Sequence, residues 1–368
     1  MKLKDIADYV TEKISSDAID LDSYITTDSL LQNKAGRDKA VNMPPQTCML
    51  TRYKVGDILV ANIRPYLKKV WMADIDGGCN ADVLVFRAKS NHSANFLYAV
   101  LLQDAFYTYA MKGAKGSKMP RGDRDQIMRY EIPMLSSSEE SIGNFIVDIN
   151  AKIALNREIN RNLEAMLDTI TDYYLSSSSI LKECIRNLGT IKAGGDCPTI
   201  FKNEVSEEFK IPIYSNGINN EGLYGYTTNE SKIVPARTLT IAARGTIGAS
   251  FIRMTPYVPI IRLISIIPYD KGGDIWIHQM VNRMTFEKNG SVQQQLTVPE
   301  ISNFNIPYPS STEILKYESQ TTPILQIIHS NKTEINKLQN LRDTLMPLLM
   351  SGQVSVMPSE VNCDLSHD

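Results

Sequence analysis

One long stretch, Ser141 to Leu175, most constrains what this chain can fold into. Apolar or amide side chains recur in it at alternating steps of four and three residues, at Ile149, Ile153, Asn156, Asn160, Leu163, Leu167 and Ile170. This spacing is typical of a coiled-coil seam rather than of the broader apolar stripe of a core helix. No Pro or Gly occurs from Asn144 onward, so the helix can run for roughly 30 residues, about 45 Å at 1.5 Å per residue. A helix of this length needs a second helix to cover its seam.

A later stretch repeats the pattern and is predicted to supply that second helix. Its seam positions each lie 175 residues after a counterpart in the first stretch, at Ile324, Ile328, Asn331, Ile335, Leu338 and Leu345. Arg342 interrupts the repeat at the position equivalent to Leu167. Asn156 and Asn331 hold the same seam position, so we expect them to meet across an antiparallel helix pair. Two unrelated amphipathic core helices would be the simpler explanation of the periodicity alone.

The segments just before the two stretches favour duplication. The first helix follows YEIP at 130–133 and the second follows FNIP at 304–307, so the two Ile-Pro pairs are 174 positions apart. A shared period close to half the chain indicates an internal repeat. We therefore predict globular domains at 1–140 and 188–309, long helices at 141–187 and 310–350, and a polar C-terminal tail at 351–368.

Composition excludes several classes of protein. The five Cys include no CxxC pair and the four His form no group with metal-ligand spacing, so neither a disulfide framework nor a zinc site is indicated. No apolar signal segment opens the chain, and no run of ~18 apolar residues occurs in it. We expect a soluble cytoplasmic protein with no membrane partner. The formal net charge of −2 does not by itself indicate nucleic-acid binding, but the basic residues are clustered.

The densest basic cluster is the segment KGAKGSKMPRGDR at 112–124, called the basic loop below. It is no nucleotide-binding phosphate loop, because the Gly-Lys-Ser spacing is wrong and a helix rather than a strand is predicted before it. Lys115, Lys118, Arg121 and Arg124 instead suit DNA phosphates, since basic side chains reach them while glycine amides approach closely. A solvated loop without a partner is the alternative.

Further DNA-binding candidates lie at equivalent places in both halves. Arg64, Lys68 and Lys69 follow one predicted strand, and Arg244 follows another. In the second half, the segment from Lys288 to Gln295 stands where the first half has its basic loop. Its three glutamines, Gln293, Gln294 and Gln295, are predicted base readers, because an amide can bond both N6 and N7 of adenine. Surface ion pairing is the alternative for either Arg64 or Arg244. No nucleophile with a base and no paired carboxylates stand out, so the chain does not look catalytic.

At this point the sequence resembles a known family. GDILVANIRPYLKKVWMADIDGGCNADVLVFR, at 56–87, is similar to the first target-recognition domain of the specificity subunits of type I restriction–modification systems. GGDCP at 194–198, ARGTIG at 243–248 and LRDTLMPLLMSG at 341–352 are similar to other parts of that family. The resemblance covers nearly the whole chain, with Arg342 as a departure in the helix seam.

The resemblance implies an α+β fold with pseudo-twofold symmetry. Two β-rich target-recognition domains would be separated by two long antiparallel coiled-coil helices, each domain reading half of a split target in double-stranded DNA. The helix-pair seam would comprise Ile149, Ile153, Asn156, Leu163, Ile328, Asn331, Ile335 and Leu338.

The resemblance also implies partners. The helices would dock two methyltransferase subunits, and motor–nuclease subunits would join them for cleavage. This chain would bind no cofactor itself, because S-adenosylmethionine, ATP and Mg would be held by the partners. A coiled-coil adaptor that binds only proteins is the alternative function. A self-sufficient methyltransferase is disfavoured by the missing motifs.

Overall fold

The chain folds into two compact units. The computed structural model describes residues 1–133, 138–177, 180–228, 232–286 and 295–356. The first unit comprises Met1–Glu158 and Lys332–Asp368, and the second comprises Ile159–Asn331. Each long helix therefore contributes to both units, whereas the sequence had assigned the helices as segments separate from the domains.

The first unit opens with a short helix and a series of short strands before the first long helix. In chain order its elements are α1 (Leu3–Ile6), β1 (Ala7–Tyr9), β2 (Lys13–Ser15), β3 (Tyr24–Ile25), β4 (Met49–Tyr53), β5 (Ile58–Ala61), β6 (Val70–Met72), β7 (Gly77–Cys79), β8 (Val83–Ala88), α2 (Ala94–Leu102), α3 (Asp104–Lys112), α4 (Arg124–Ile127) and α5 (Glu139–Ser177).

Two four-stranded sheets, ordered β1-β8-β5-β6 and β2-β4-β7-β3, form the β part of the first unit. All four residues of β5 are buried, as expected for a central strand that is covered on both faces. Helices α2 and α3 pack on the first sheet through Phe96, Leu97, Val100 and Phe106, all within one apolar core. The helical stretch before the basic loop consists of two helices, α2 and α3, separated at Gln103.

The second unit has the same kinds of element. They are β9 (Ile180–Cys184), α6 (Ile185–Leu188), β10 (Gly189–Ala193), β11 (Ile211–Tyr214), β12 (Leu223–Thr227), β13 (Thr238–Ile241), β14 (Ser250–Arg253), β15 (Val258–Pro259), β16 (Ile264–Pro268), α7 (Gly273–Asn282), α8 (Val298–Asn303), β17 (Asn305–Pro309) and α9 (Ser311–Met350).

The strand order of the first unit recurs in the second. Its main sheet is ordered β10-β16-β13-β14, so each member has a counterpart in β1-β8-β5-β6. The first residues of the short helices α1 and α6 are also hydrogen-bonded in the same way. The Leu3 amide donates to the Tyr130 carbonyl at 2.8 Å, and the Ile185 amide donates to the Phe304 carbonyl at 3.0 Å. The segments that revealed the repeat in the sequence therefore hold the same place in each unit. The α+β prediction is confirmed.

The two long helices run antiparallel within each unit. In the first unit, Ile149 and Ile153 of α5 cluster with Ile335 of α9, and Leu338 packs against them. In the second, Leu167 clusters with Ile324 and Ile328, and Leu163 packs against this group. α5 ends ten residues before the predicted boundary at 187, because Ile180–Cys184 forms an edge strand that pairs with β17. Within the described residues, no helix is long and apolar enough to cross a membrane.

The seam asparagines do not pair as the sequence suggested. Asn156 donates to Glu334 Oε2 at 2.7 Å, whereas Asn331 donates to Asn160 Oδ1 at 2.9 Å. The predicted contact between Asn156 and Asn331 is therefore wrong, because the antiparallel stagger places each one opposite a different residue. Each amide is satisfied by a polar neighbour inside its own unit.

Arg342, the departure in the seam, is buried rather than turned out to solvent. Its side chain is 2% exposed. Nη1 donates to Asn150 Oδ1 at 2.7 Å, and Nε donates to Asp343 Oδ1 at 2.9 Å. A buried charge is tolerated when it is paired and hydrogen-bonded. The seam therefore changes from apolar to polar at this turn without a break in either helix.

Gly143 allows α5 to approach the start of α2 very closely. A Cβ added there would lie 2.4 Å from the Phe96 amide nitrogen and 2.6 Å from the Asn95 carbonyl carbon. These are backbone atoms, so they cannot turn aside as a flexible side chain would. We expect Gly143→Ala to lower the free energy of unfolding by about 1–3 kcal/mol through overpacking, although Ala in a helix interior is normally preferred to Gly by about 1 kcal/mol.

Urea denaturation followed by circular dichroism measures this effect. Gly195→Ala is the matched control, because a Cβ there would meet only the Lys232 ammonium, at 3.8 Å. Equal midpoints for Gly143→Ala and the unsubstituted chain would contradict the close approach.

Candidate nucleic-acid interface

Two loops of the first unit meet at the end of β5. The Arg64 amide donates to the Pro120 carbonyl at 2.7 Å, and the Gly122 amide donates to the Asn62 carbonyl at 3.1 Å. The basic loop is itself closed by a pair of 2.9 Å hydrogen bonds between the backbones of Lys115 and Arg121. The structure thus brings together Arg64 and the basic loop, which lie about half a domain apart in the sequence.

The predicted basic side chains of this surface are exposed, namely Arg64, Lys115, Lys118, Arg121 and Arg124. Arg121 Nη2 lies 3.0 Å from Asp82 Oδ1, and the Lys115 ammonium lies 3.8 Å from Asp123 Oδ2. A hydrogen bond from the Gln126 amide lowers the pKa of Asp123, which caps α4. Exposed ion pairs of this kind contribute little to stability, so a phosphate can replace the carboxylates at small cost.

The turn that carries Arg64 is conformationally unusual. Arg64 and Lys68 both have φ of +51° and flank the 3-10 turn Pro65–Leu67. Left-handed backbone is uncommon outside glycine, and such residues cluster at functional sites. Tyr66, at the tip of this turn, is half-exposed. Tyr66 is a candidate contact that the sequence analysis did not select, although its place between Arg64 and Lys68 was visible there.

Two lysines of the same segment that were predicted to contact DNA, Lys68 and Lys69, instead bind groups within the protein. Lys69 is buried, its ammonium donates to the Thr27 carbonyl, and burial lowers its pKa. Lys69 is therefore unavailable to a phosphate, and the prediction for it is wrong. The half-buried Lys68 ammonium lies 2.8 Å from Asp104 Oδ2, and Lys34 binds the other oxygen of the same carboxylate. Burial raises the pKa of Asp104, but the bonds from Lys34 and Lys68 outweigh it and hold that pKa below its usual range.

In the second unit, the equivalent surface is described only in part. Arg244 is exposed just after β13, and Gln295 is half-buried. The Gln295 side-chain oxygen accepts from Arg244 Nε at 3.2 Å and from Arg244 Nη2 at 2.7 Å. Lys288, Gln293 and Gln294 lie outside the described residues, so their roles stay predictions.

One backbone hydrogen bond fixes the correspondence between the two surfaces. The Leu296 amide donates to the Ala243 carbonyl at 2.9 Å, as the Gly122 amide does to Asn62. The residues beside these bonds are thereby equivalent: Arg244 takes the place of Ile63, and Gln295 takes the place of Arg121. From the sequence, Arg244 was matched with Arg64. In the structure it is equivalent to Ile63, one position earlier.

No metal-binding cluster accompanies these surfaces. Across the described ranges, no group of three or more His, Cys, Asp or Glu side chains is placed to hold a metal ion. The side chains of these surfaces carry guanidinium, ammonium, amide and phenol groups. Such groups bind anions and the hydrogen-bonding edges of bases.

Comparison with known proteins decides the family. Residues 182–342 match the family model of the type I restriction modification DNA specificity domain. Over 104 residues the chain is 32% identical to the putative type I specificity subunit S.MpnORF289P C-terminus of Mycoplasma pneumoniae, covering 28% of this chain and 69% of that protein. The chain belongs to the type I specificity-subunit family.

Other members of the family match over shorter shares of their length. The putative type I specificity subunit S.MpnORF89P of M. pneumoniae is 32% identical over 147 residues, which is 40% of this chain and 42% of that relative. The chain thus spans less than half the length of that relative in the match. The crystal structure of the type I restriction–modification S subunit from M. genitalium aligns over 95% of both chains, with a TM-score of 0.57 and 17% identity. At this identity, the likeness shows the fold alone.

Proposed function

We propose that this chain is the DNA sequence-specificity subunit of a type I restriction–modification complex, and that each globular domain reads one half of a split target. The observation that carries the proposal is the joining of the Arg64 turn to the basic loop by backbone hydrogen bonds, in a chain of this family. Exposed cations and glycine amides on one surface suit phosphates, and a matching surface in the second unit carries Arg244 and Gln295.

The chain acts as a non-catalytic subunit in this proposal. S-adenosylmethionine, ATP and Mg are bound by its partners, which are two methyltransferase subunits and motor–nuclease subunits. The long helices dock the methyltransferases. In support, Ile159, Met166 and Tyr173 recur at seven-residue intervals on α5 and are 37%, 50% and 64% exposed. A heptad stripe of this kind suits a partner helix.

A first experiment separates this function from that of an adaptor which binds only proteins. The full chain is used to recover methyltransferase subunits by pull-down, and duplex DNA binding is measured from low to high salt. Recovery together with salt-dependent DNA binding supports the proposal. Recovery of protein partners without any DNA binding would favour the adaptor.

Single Ala substitutions at Lys115, Lys118, Arg121 and Arg124 test the phosphate contacts. Each should weaken binding to all sequences alike and reduce the slope of log K against log salt by about 0.9, the contribution of one phosphate contact. Lys182→Ala is the control, because Lys182 is an exposed lysine on the edge strand β9. Unchanged slopes in all four variants would remove the basic loop from the interface.

A further inference from the structure

We infer that Arg244 reads one guanine in the half-site of the second unit, and that Gln295 is the residue that positions it. This inference rests on the proposed DNA-specificity function and adds to it the base and the residue. It starts from the Arg244–Gln295 pair, in which a single amide oxygen accepts from both Nε and Nη2 of the guanidinium, at 3.2 and 2.7 Å.

The pair leaves one edge of the guanidinium, the Nη1–Nη2 edge, available to bind a base. Arginine presents five N–H donors in a planar fork. Gln295 occupies donors along the Nε–Nη2 side, so the Nη1–Nη2 end remains to face outward from an exposed residue. Two parallel donors match O6 and N7 of guanine in the major groove, the commonest specific arginine contact with a base.

The partner of Arg244 is neutral, which distinguishes it from Arg121 in the first unit. Arg121 lies 3.0 Å from the carboxylate of Asp82, so its charge is already balanced there. The Gln295 amide orients Arg244 without cancelling its charge. Within the described parts of the chain, the side-chain partner of Arg244 is this neutral amide alone. An oriented guanidinium that keeps its charge suits an acceptor pair on a base, whereas a lone flexible cation suits any phosphate.

Gln295 itself is a poor adenine reader in this arrangement. To bond adenine with both groups, its amide oxygen must accept from N6 while its nitrogen donates to N7. That oxygen has two lone pairs, and both are taken by Arg244. The structure therefore changes the expected base for this residue pair from adenine to guanine.

The backbone beside the pair is anchored at one neighbour of each residue, Ala243 and Leu296. The Leu296 amide donates to the Ala243 carbonyl at 2.9 Å, and the Ala243 amide donates to Asn216 Oδ1 at 2.8 Å. Asn216 in turn donates to the Ile261 carbonyl at 2.8 Å. These bonds restrain the backbone that carries Arg244 and Gln295, which supports readout because readout depends on a fixed position.

The test selects bound DNA from a randomised duplex library, using the full chain alone and in the complex that it recovers by pull-down. Sequencing gives the preference for each base at each position at one salt concentration. The unsubstituted chain should prefer guanine at a position of one half-site. Arg244→Ala should reduce that preference by about 5- to 150-fold, the discrimination that one bidentate pair supplies, and leave the other positions unchanged.

Four further variants sharpen the result. Arg186→Ala is the matched control: Arg186 is exposed and donates to Asn303 Oδ1 at 3.0 Å, another arginine–amide pair of this unit. Arg244→Lys keeps the charge but lacks the fork, so it should lose the guanine preference while keeping the salt slope. Gln295→Leu should weaken the same preference. Gln295→Glu should restore the preference, because a carboxylate accepts the same two N–H groups, but its negative charge should lower the affinity for all sequences alike.

The outcomes are distinct. A preference that survives Arg244→Ala, or an Arg244→Ala loss shared equally by all sequences, overturns the inference and leaves the specificity function standing. Failure of Gln295→Glu to restore the preference lost in Gln295→Leu overturns the positioning role. If the unsubstituted chain shows no base preference at any position, the proposed function falls together with the inference.

Discussion

Trp276→Ala is expected to lower the free energy of unfolding of the second unit by about 3–5 kcal/mol, the range for removing a large aromatic side chain from a core. Trp276 on α7 is fully buried. Its ring meets the Tyr317 ring edge-on, with centroids 5.0 Å apart, and its indole Nε1 donates to the Pro307 carbonyl at 2.7 Å. The substitution leaves a cavity and also deprives that carbonyl of its donor.

Urea denaturation with circular dichroism measures the loss. Trp276→Phe keeps most of the volume and loses only the indole donor, so its cost should be clearly smaller. The chain has two Trp, and the other, Trp71 on β6, lies in the first unit. In either Trp276 variant, fluorescence therefore reports on the first unit alone. A loss below 1 kcal/mol for Trp276→Ala would contradict the packing described for this core.

Asp57→Ala is expected to destabilise the first unit by about 3 kcal/mol, because it removes a buried carboxylate and leaves the N–H groups that it binds without their acceptor. Asp57 is 2% exposed. Its two oxygens accept from Arg87 Nε and Nη2, both at 2.7 Å, and Oδ2 also accepts from the Lys54 amide at 2.8 Å. The bonds from Asp57 raise the pKa of Arg87. The guanidinium stays charged even without them, because arginine does not lose its proton in proteins.

Glu12→Ala is the control for this second prediction. Glu12 also binds Arg87, at 2.6 Å, but its side chain is 42% exposed, so its removal should cost much less than the removal of Asp57. The fluorescence of Trp71, in a chain that carries Trp276→Phe, follows the unfolding of this unit. Equal losses for Asp57→Ala and Glu12→Ala would show that the burial of Asp57 has no special weight.

Features with a local period could be predicted from the sequence. The spacing of the seam residues identified both long helices, and the Ile-Pro segments identified the repeat, because periodicity and order along the chain are properties of sequence itself. β5 and β8 were also predictable, as short apolar runs between turn residues. Each of these elements is specified mainly by residues within it.

Features set by distant contacts or by single backbone angles could not be predicted. The apolar run at 259–267 has the composition of one continuous strand. Ile261 and Arg262, however, adopt φ of +52° and +60°, which separates β15 from β16. Lys68 has a left-handed backbone, and Lys69 after it turns inward to Thr27, a residue 42 positions away. The hydrogen bond from Asn331 to Asn160 depends on how α5 and α9 are staggered against each other. Neither helix sequence determines that stagger alone.

The candidate site also has features that could be predicted from the sequence and features that could not. Residue types and clustering found Arg64, Arg244 and the basic loop, since charge is visible in a sequence. The pairing of Arg244 with Gln295 was not visible, because 51 residues separate the two. In the inference drawn above, this pairing changes the role of Gln295 from reading a base to orienting the side chain that reads it.

The matching backbone bonds, Gly122 to Asn62 and Leu296 to Ala243, have a consequence for how such proteins diversify. They use main-chain atoms, so they persist whatever side chains stand beside them. At the two adjoining positions, one unit carries Ile63 and Arg121, and the other carries Arg244 and Gln295. The arginine therefore lies on one of the two bonded segments in the first unit and on the other in the second unit, while the backbone hydrogen bond between the segments is the same. If these surfaces read DNA as proposed, new targets can arise by substitution at these positions alone, while the cores and the helix seam stay as they are.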